Sequence, residues 1–377
     1  MEEEKKIKVL VADDNESILT LLRVQLISEG YEPVLARNGK EALEKVYDTK
    51  PDIILLDVMM PEKNGFEVAK EIKEDKEYNY IPIIMVTARA EFESKTTGIE
   101  SGADDYVTKP IDFKNLLLKI KALLRIKELN EEVRLQKEKM EKELQLAKKL
   151  QEKLLSFPIP EFSKIELYSK YISSSNLSGD IFFIKEIDKE KCFFVVADVS
   201  CEGVESALIM LLFNSFLRYG IEKYGAENIE ELMFFLNNEL LNMDINNNFI
   251  TVFAGIIDAP AGKLKYISAG HIDAFIYKDK EKYEILPATS SLLGGFFTVE
   301  FKAKEIKLSK NDKLLVFTKG LLESIDQKLA ETLDSEKTAA ILNDSYNDNL
   351  KFMLDNVLKN INENVEKDII LLGFQLK

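Results

Sequence analysis

The sequence predicts three structural classes in series. These are an α/β doubly wound domain on a five-stranded parallel sheet, a long α-helical coiled-coil segment, and an α+β sandwich. Three observations lead there. Residues 5–123 alternate short apolar runs with helical patterns, residues 111–156 contain neither Gly nor Pro, and strand-like runs dominate beyond Pro158. With 377 residues, 46% of them hydrophobic, the chain has material for two or three cores at about 150 residues each.

In the first part, strands are expected at 7–12, 32–35, 53–56, 83–86 and 106–107. Helices are expected at 16–29, 39–48, 64–73, 93–101 and from 111 onward. Five βα units in a row describe an open parallel sheet with helices on both faces. Ligands of such folds sit beyond the carboxyl ends of the strands. The polar residues fall there: Asp13, Asp14 and Asn15 after the first strand, Asp57 at the end of the third, Thr87 after the fourth, and Lys109 after the fifth. Three carboxylates at one edge repel one another unless a hard cation lies between them, and an all-oxygen set suits Mg²⁺. Asp57 follows a buried apolar strand, so it is the most rigidly placed carboxylate and the candidate nucleophile. Lys109 can neutralise an incoming phosphoryl group and the Thr87 hydroxyl can hydrogen-bond it.

The segments VADDNE, LLDVMMP, VTA and TKP, in that order, resemble the CheY-like receiver domain of two-component response regulators over residues 5–123. The resemblance implies phosphorylation of Asp57 by a sensor histidine kinase. It also implies Mg²⁺ on Asp13, Asp14 and Asp57, with Thr87 and Tyr106 as a switch pair.

The segment 111–156 is rich in Leu, Glu, Lys and Gln, all good helix formers. As one helix it would be about 70 Å long. From Ile126 a heptad runs through Leu129, Val133, Gln136, Met140, Glu143, Ala147, Leu150 and Leu154, with Gln136 and Glu143 as its polar exceptions. Such a seam calls for a partner helix, most simply from a second copy of the chain. The coiled-coil linker is expected to span 124–156. A phosphoryl group on Asp57 that draws Thr87 inward would let Tyr106 move, and the helix that begins at 111 adjoins that face.

In the third part, 157–377, strands are expected at 165–171, 181–187, 191–197, 251–258, 263–269, 274–277, 301–308, 313–318 and 369–375. Helices are expected at 203–223, 227–241 and 333–359. The pieces LAKKLQEKLL (146–155), SGD (178–180), ADVSCEGVESAL (197–208), YISAGHIDAFIY (266–277), FTKGLLES (317–324) and KDIILL (367–372) resemble the metal-dependent PPM-type serine/threonine phosphatases. The branch they resemble is that of sporulation stage II protein E and the sigma-B regulators. The resemblance implies two stacked antiparallel sheets with helices outside, and two divalent metals that turn water into a nucleophile.

The family's metal shell is altered in this chain. Asp180 and Asp198 stand where the family has aspartates, and Asp368 remains of a terminal pair. Lys319 and Lys367 replace two other aspartates, Cys201 and Glu202 replace Gly-His, and Phe183 occupies the place of a further aspartate. A unit charge at about 4 Å is worth on the order of 4 kcal/mol at an effective dielectric of 20, and a dication doubles that. Two such exchanges are expected to leave the output domain without Mn²⁺ or Mg²⁺, the lysines pairing instead with Asp180 and Asp198. The alternative is that Asp368, Glu366 or Glu323 supplies a shifted ligand, or that one metal suffices. His271, in the AGH turn, is read as a structural residue, and the cysteines as small buried ones.

A net charge of −15 argues against binding to nucleic acid or an anionic membrane. Two cysteines make no disulfide framework, MEEEKK is no signal peptide, and the purely apolar runs are too short to span a bilayer. A cytoplasmic protein is expected. Taken together, the expected function is a response regulator whose PPM-like output domain binds a regulatory protein, a sigma, anti-sigma or anti-anti-sigma factor, as a homodimer. The alternative is an active, receiver-controlled phosphatase acting on an anti-anti-sigma protein.

Overall fold

The computed structural model describes residues 6–88, 102–155, 158–173, 177–243, 248–280, 282–361 and 367–377. The expected helix at 93–101 and the candidate ligand Glu366 lie outside the described residues. Contacts divide the chain into two compact units, Met1–Met140 and Glu141–Lys377.

The first unit follows the expected alternation: β1 (Lys8–Ala12), α1 (Glu16–Ser28), β2 (Glu32–Ala36), α2 (Gly39–Thr49), β3 (Ile53–Asp57), α3 (Gly65–Glu74), β4 (Ile83–Ala88), β5 (Asp105–Lys109) and α4 (Phe113–Leu155). The sheet order is β2-β1-β3-β4-β5, all parallel. The central strand β3, Ile-Ile-Leu-Leu-Asp, is buried along its whole length, as expected of a strand covered on both faces. One face packs Leu10, Ile54, Leu56 and Ile83 under α2 and α3; the other packs Val9, Val11, Leu55 and Ile84 under α1 and the start of α4. Asparagines start three helices. Asn15 accepts from the Ser17 N–H and Asn38 from the Glu41 N–H, while Asn64 and Glu67 form a reciprocal capping box.

The helix α4 continues through Met140 into the second unit. There its last turns are fastened: Gln151 is buried, its Nε2 donates to the Ser178 carbonyl at 2.8 Å, and its Oε1 accepts from the Ser178 N–H at 3.0 Å. Leu155 packs against the apolar layer under the next helices.

The second unit contains β6 (Ile165–Ile172), β7 (Asp180–Asp188), β8 (Lys191–Val199), α5 (Gly203–Tyr224), α6 (Ile229–Asn242), β9 (Ile250–Asp258), β10 (Lys263–Ala269), β11 (Ala274–Tyr277), β12 (Tyr283–Leu286), β13 (Lys304–Lys307), β14 (Lys313–Phe317), α7 (Lys319–Ile325), α8 (Gln327–Thr332), α9 (Ser335–Asp344), α10 (Leu350–Lys359) and β15 (Ile369–Leu376). Two five-stranded antiparallel sheets form, β13-β10-β9-β8-β7 and β12-β11-β14-β15-β6. Aromatic rings fill the layer between them. Phe194 of one sheet lies 4.4 Å from Phe374 of the other, and Phe253 stacks on Tyr266 at 5.3 Å. Outside, α5 and α6 cover the first sheet, and α7, α9 and α10 cover the second. The order is helix, sheet, sheet, helix.

Three elements differ from expectation. β12 and the α7–α8 pair are additional, and the expected helix 333–359 is two helices, broken where Asn349 caps α10 by accepting from the Phe352 N–H. Among the described residues one helix, α5, is apolar enough to cross a membrane by length and composition, with a mean hydropathy of 1.3 over its best window. Half of that window is buried inside the second unit, which is how a core helix behaves.

Candidate functional site

The first unit gathers its expected residues at the carboxyl edge of the sheet. The carboxylate oxygens of Asp13, Asp14 and Asp57 lie within 4.8 Å of one another. Asp57 ends β3 and is buried; Asp13 follows β1 and is held by the Asn15 N–H, which donates to its Oδ1 at 2.9 Å. Lys109, the last residue of β5, spans the pair, its Nζ 2.8 Å from Asp13 Oδ2 and 3.0 Å from Asp57 Oδ1. Burial raises the pKa of Asp57 and Asp13 adds to the rise; the hydrogen bond from Lys109 opposes both. Burial alone would lower Lys109, but its bonds to Asp13 and Asp57 outweigh that and hold it above its ordinary value. The donor set fits a hard divalent cation: three carboxylates, all oxygen, converging on one point.

Thr87, on β4, is buried, and its hydroxyl donates to the Ala88 carbonyl at 3.2 Å. Tyr106, on β5, is exposed, with Lys119 Nζ 5.5 Å from its ring centroid. One residue was invisible to pattern reading. A Cβ on Gly65 would lie 2.1 Å from the Asp57 carbonyl oxygen, so only glycine lets α3 start against the phosphoacceptor candidate.

The second unit has a cleft of about 640 Å³ where ends of its two sheets meet. Asp180 and Asp198 face each other across the β7–β8 ladder in the first sheet. Lys319 opens α7 after β14, and Lys367 and Asp368 precede β15, both in the second sheet. A Cβ on Gly320 would meet the Asp368 carbonyl oxygen at 2.0 Å, so this glycine allows the second group to close up. Phe183 points into the apolar layer under α5 and α6, 6.4 Å from Phe193.

The lysines do not pair with Asp180 and Asp198, as had been expected. Lys319 Nζ lies 3.1 Å from Glu323 Oε1, one helical turn on, and Lys367 forms a close ion pair with Glu202. Asp180 and Asp198 stand opposite each other on neighbouring strands instead, and each shifts the other's titration. Burial pushes Asp180 well above the carboxylate range, and Asp198 raises it further. Burial also raises Asp198, to about 6, while Asp180 and the charge of Lys367 pull it back. Thr318 opposes the rise at Asp180.

Two ammonium groups reach into the cleft, and among the described residues no group of three His, Cys, Asp or Glu side chains converges there as Asp13, Asp14 and Asp57 do. Glu202 and Glu323 are the residues sequence reasoning missed as ion-pair partners. Glu323 was visible in principle at helical i,i+4 spacing; Glu202 is 165 residues from Lys367. His271 is buried, its Nδ1 3.1 Å from Thr251 Oγ1 and its Nε2 3.0 Å from the Phe317 carbonyl oxygen. Cys192 is buried and Cys201 is partly exposed at the cleft.

Comparison with known proteins agrees with both halves. The response regulator receiver domain matches residues 9–121, and stage II sporulation protein E matches residues 188–377. The alkaline phosphatase synthesis transcriptional regulatory protein PhoP of Bacillus subtilis is 46% identical over 122 residues, covering 32% of this chain and 50% of that protein. The chain thus spans about half the length of this curated relative. Among solved structures, the SiaA-PP2C domain of Pseudomonas aeruginosa aligns with a TM-score of 0.54 at 17% identity, covering 64% of this chain and 98% of that one. That likeness concerns the fold. The chemotaxis response regulator CheY4 of Vibrio cholerae is 34% identical, covering 32% of this chain and 99% of that one, with a TM-score of 0.30. The chain belongs to the stage II sporulation protein E family, its phosphatase-fold domain preceded by a response-regulator receiver domain.

Proposed function

We propose that the chain is a phosphorylation-controlled cytoplasmic regulator. Asp57 takes a phosphoryl group from the phosphohistidine of a sensor histidine kinase, and the output domain binds a regulatory protein of a sigma-factor pathway without hydrolysing a phosphoester. The observation that carries this reading is the contrast between the two acidic sites. At the first, three carboxylates converge and one lysine bridges two of them. At the second, two lysines stand among the carboxylates and are neutralised by Glu323 and Glu202.

At the first site an Asp57 oxygen attacks phosphorus in line. The phosphorus–nitrogen bond of the phosphohistidine breaks, and its electron pair returns to the imidazole. Asp13, Asp14 and Asp57 would hold Mg²⁺, which supplies charge neutralisation when bound. Lys109 loses Asp57 as an anionic partner and gains the phosphoryl oxygens. Thr87 can turn its hydroxyl from the Ala88 carbonyl to the same oxygens. Domain limits of 5–123, 124–156 and 157–377 fit this division of labour. The seam of α4 supports a homodimer: Ile126, Leu129, Val133, Met140, Leu150 and Leu154 are all exposed on the single chain.

Two experiments test the reading. Acetyl phosphate should label the wild type in a Mg²⁺-dependent way and leave Asp57→Ala unlabelled; equal labelling of the variant rejects the site. The wild type should show no Mn²⁺-dependent hydrolysis of a phosphoserine peptide. The second reading, a receiver-controlled phosphatase, draws support from the Asp180–Asp198 pair with Asp368 in the same cleft. Turnover that disappears in Asp198→Ala would establish it instead.

A further inference from the structure

The segment after β12 runs Leu293-Gly294-Gly295-Phe296-Phe297 and leaves both phenylalanines in solvent, Phe296 at 57% and Phe297 at 75% exposure. Phe234 of α6 is 51% exposed beside them. Phenylalanines this open are unusual unless something covers them. They are also held in place. Asn237 of α6 is buried and clamps the turn with both ends of its amide: its Oδ1 accepts from the Gly294 N–H at 2.9 Å, and its Nδ2 donates to the Phe296 carbonyl at 3.0 Å. Gly294 takes a left-handed φ of +80° to make the turn. Leu293 exchanges two backbone hydrogen bonds with Ile250, at 3.0 and 2.9 Å. The aromatic side chains are therefore presented on a fixed loop, and little further ordering is needed when they are covered.

Between α6 and this loop lies a groove of about 750 Å³ that shares no lining residue with the Asp180 cleft. Its lining includes Phe234, Phe297, Glu230, Glu231 and Glu300, and no Lys or Arg. Lys265 pairs with Glu230 and Lys302 with Glu300 from outside the groove; Glu231 has no ion-pair partner among the described residues. We propose that this groove docks a partner-protein segment that carries an apolar anchor flanked by Lys or Arg. A second copy of the chain is disfavoured as occupant, because an isologous contact would bring together the Glu231 carboxylates, which have no ion-pair partner among the described residues. An anionic membrane is disfavoured by the unpaired Glu231 and by the chain's net charge of −15. The proposal rests on reading the output domain as a protein-binding module and holds whether or not the cleft carries metal.

The test uses the full chain and a defined probe, a fluorescein-labelled amphipathic helical peptide of Leu and Lys, with a matched peptide bearing Glu at each Lys. In anisotropy titrations at near-physiological salt, the Lys peptide should saturate the wild type and the Glu peptide should not bind. Phe297→Ala should weaken binding by about tenfold, the scale of an aromatic hot spot, and Glu231→Lys should weaken it less. Both positions are on the surface, so folding is not at stake. Equal binding of the Lys peptide to wild type and Phe297→Ala would mean diffuse attraction to an acidic protein and would overturn the proposal. So would equal binding of the two peptides, no saturable binding, or self-association that Phe297→Ala abolishes. Asp57 labelling is unaffected by any of these results, so a failure here is distinct from failure of the receiver reading.

Discussion

Protonation of His271 should set the acid limit of the output domain. It is the chain's only histidine and is buried, 4% exposed. The Phe317 carbonyl can only accept, so Nε2 carries the proton, and Nδ1 is left to accept from the Thr251 hydroxyl. The neutral ring is fully satisfied. Burial pushes its pKa from 6.5 down to about 4, with the Phe317 carbonyl opposing the shift slightly. In the unfolded chain the ring takes a proton near 6.5; in the native state it resists until about 4. Between these values the unfolded state binds more protons, so stability is whole above 6.5 and falls as pH drops. A shift of about 2.5 units corresponds to about 3 kcal/mol by the lower limit, of which about 1.4 kcal/mol should be gone by about pH 5.5. The measurement is urea unfolding followed by circular dichroism at about pH 7.5 and about pH 5.5, for wild type and His271→Gln. Carboxylates that titrate in both proteins cancel in the difference. The stability gap between the two should change by about 1.4 kcal/mol in favour of the variant at the lower pH. A gap that stays constant would refute the assignment of a neutral, desolvated ring.

Three further outcomes are expected. A Cβ on Gly255 would stand 2.5 Å from Phe194 Cζ, so Gly255→Ala should overpack the layer between the sheets and cost about 1–3 kcal/mol; an unchanged urea midpoint would show that Phe194 has room to move. Replacing Leu150 and Leu154 by Lys should turn dimers into monomers in light scattering, whereas a wild type that is monomeric with and without phosphate leaves α4 a solvated helix. Lys319→Asp with Lys367→Asp should add Mn²⁺ binding beyond the wild-type stoichiometry in calorimetry; no added binding would mean that Cys201, Glu202 and Phe183 also closed the site.

Local pattern exposed much of this. The five parallel strands, the helices after the first, second, third and fifth of them, the polar residues at the carboxyl ends and the gap-free helix were legible, because each depends on neighbours within a few residues. What was missed depends on distance. β12 is four residues long and carries no clear alternation, so only its pairing with β11 defines it. Residues 319–332 fold as two short helices against the second sheet, below the length at which periodicity can be seen. The break at 345–349 comes from Asn347 and Asn349, whose side-chain oxygens accept from backbone N–H groups, a choice that helix propensity alone does not resolve. Gly65 and Gly320 looked like ordinary glycines until the carbonyls of Asp57 and Asp368 were placed against them.

The altered metal shell then acquires a physical logic that single positions do not have. A lysine in place of an aspartate, taken alone, would leave an ammonium group among carboxylates with no designated partner. Here each has one. Lys319 meets Glu323 on its own helix, and Lys367 meets Glu202, which stands where the family has histidine. Two departures from the family pattern, far apart in sequence, thus neutralise each other across the cleft. The remaining pair, Asp180 and Asp198, is buried, and burial together with repulsion from neighbouring carboxylates raises both carboxyl pKa values. A site that had merely decayed would be expected to retain unbalanced charge, at a cost paid in stability. Here both lysines meet a carboxylate, Glu323 and Glu202, and that pairing is what the proposal of a metal-free output domain rests on.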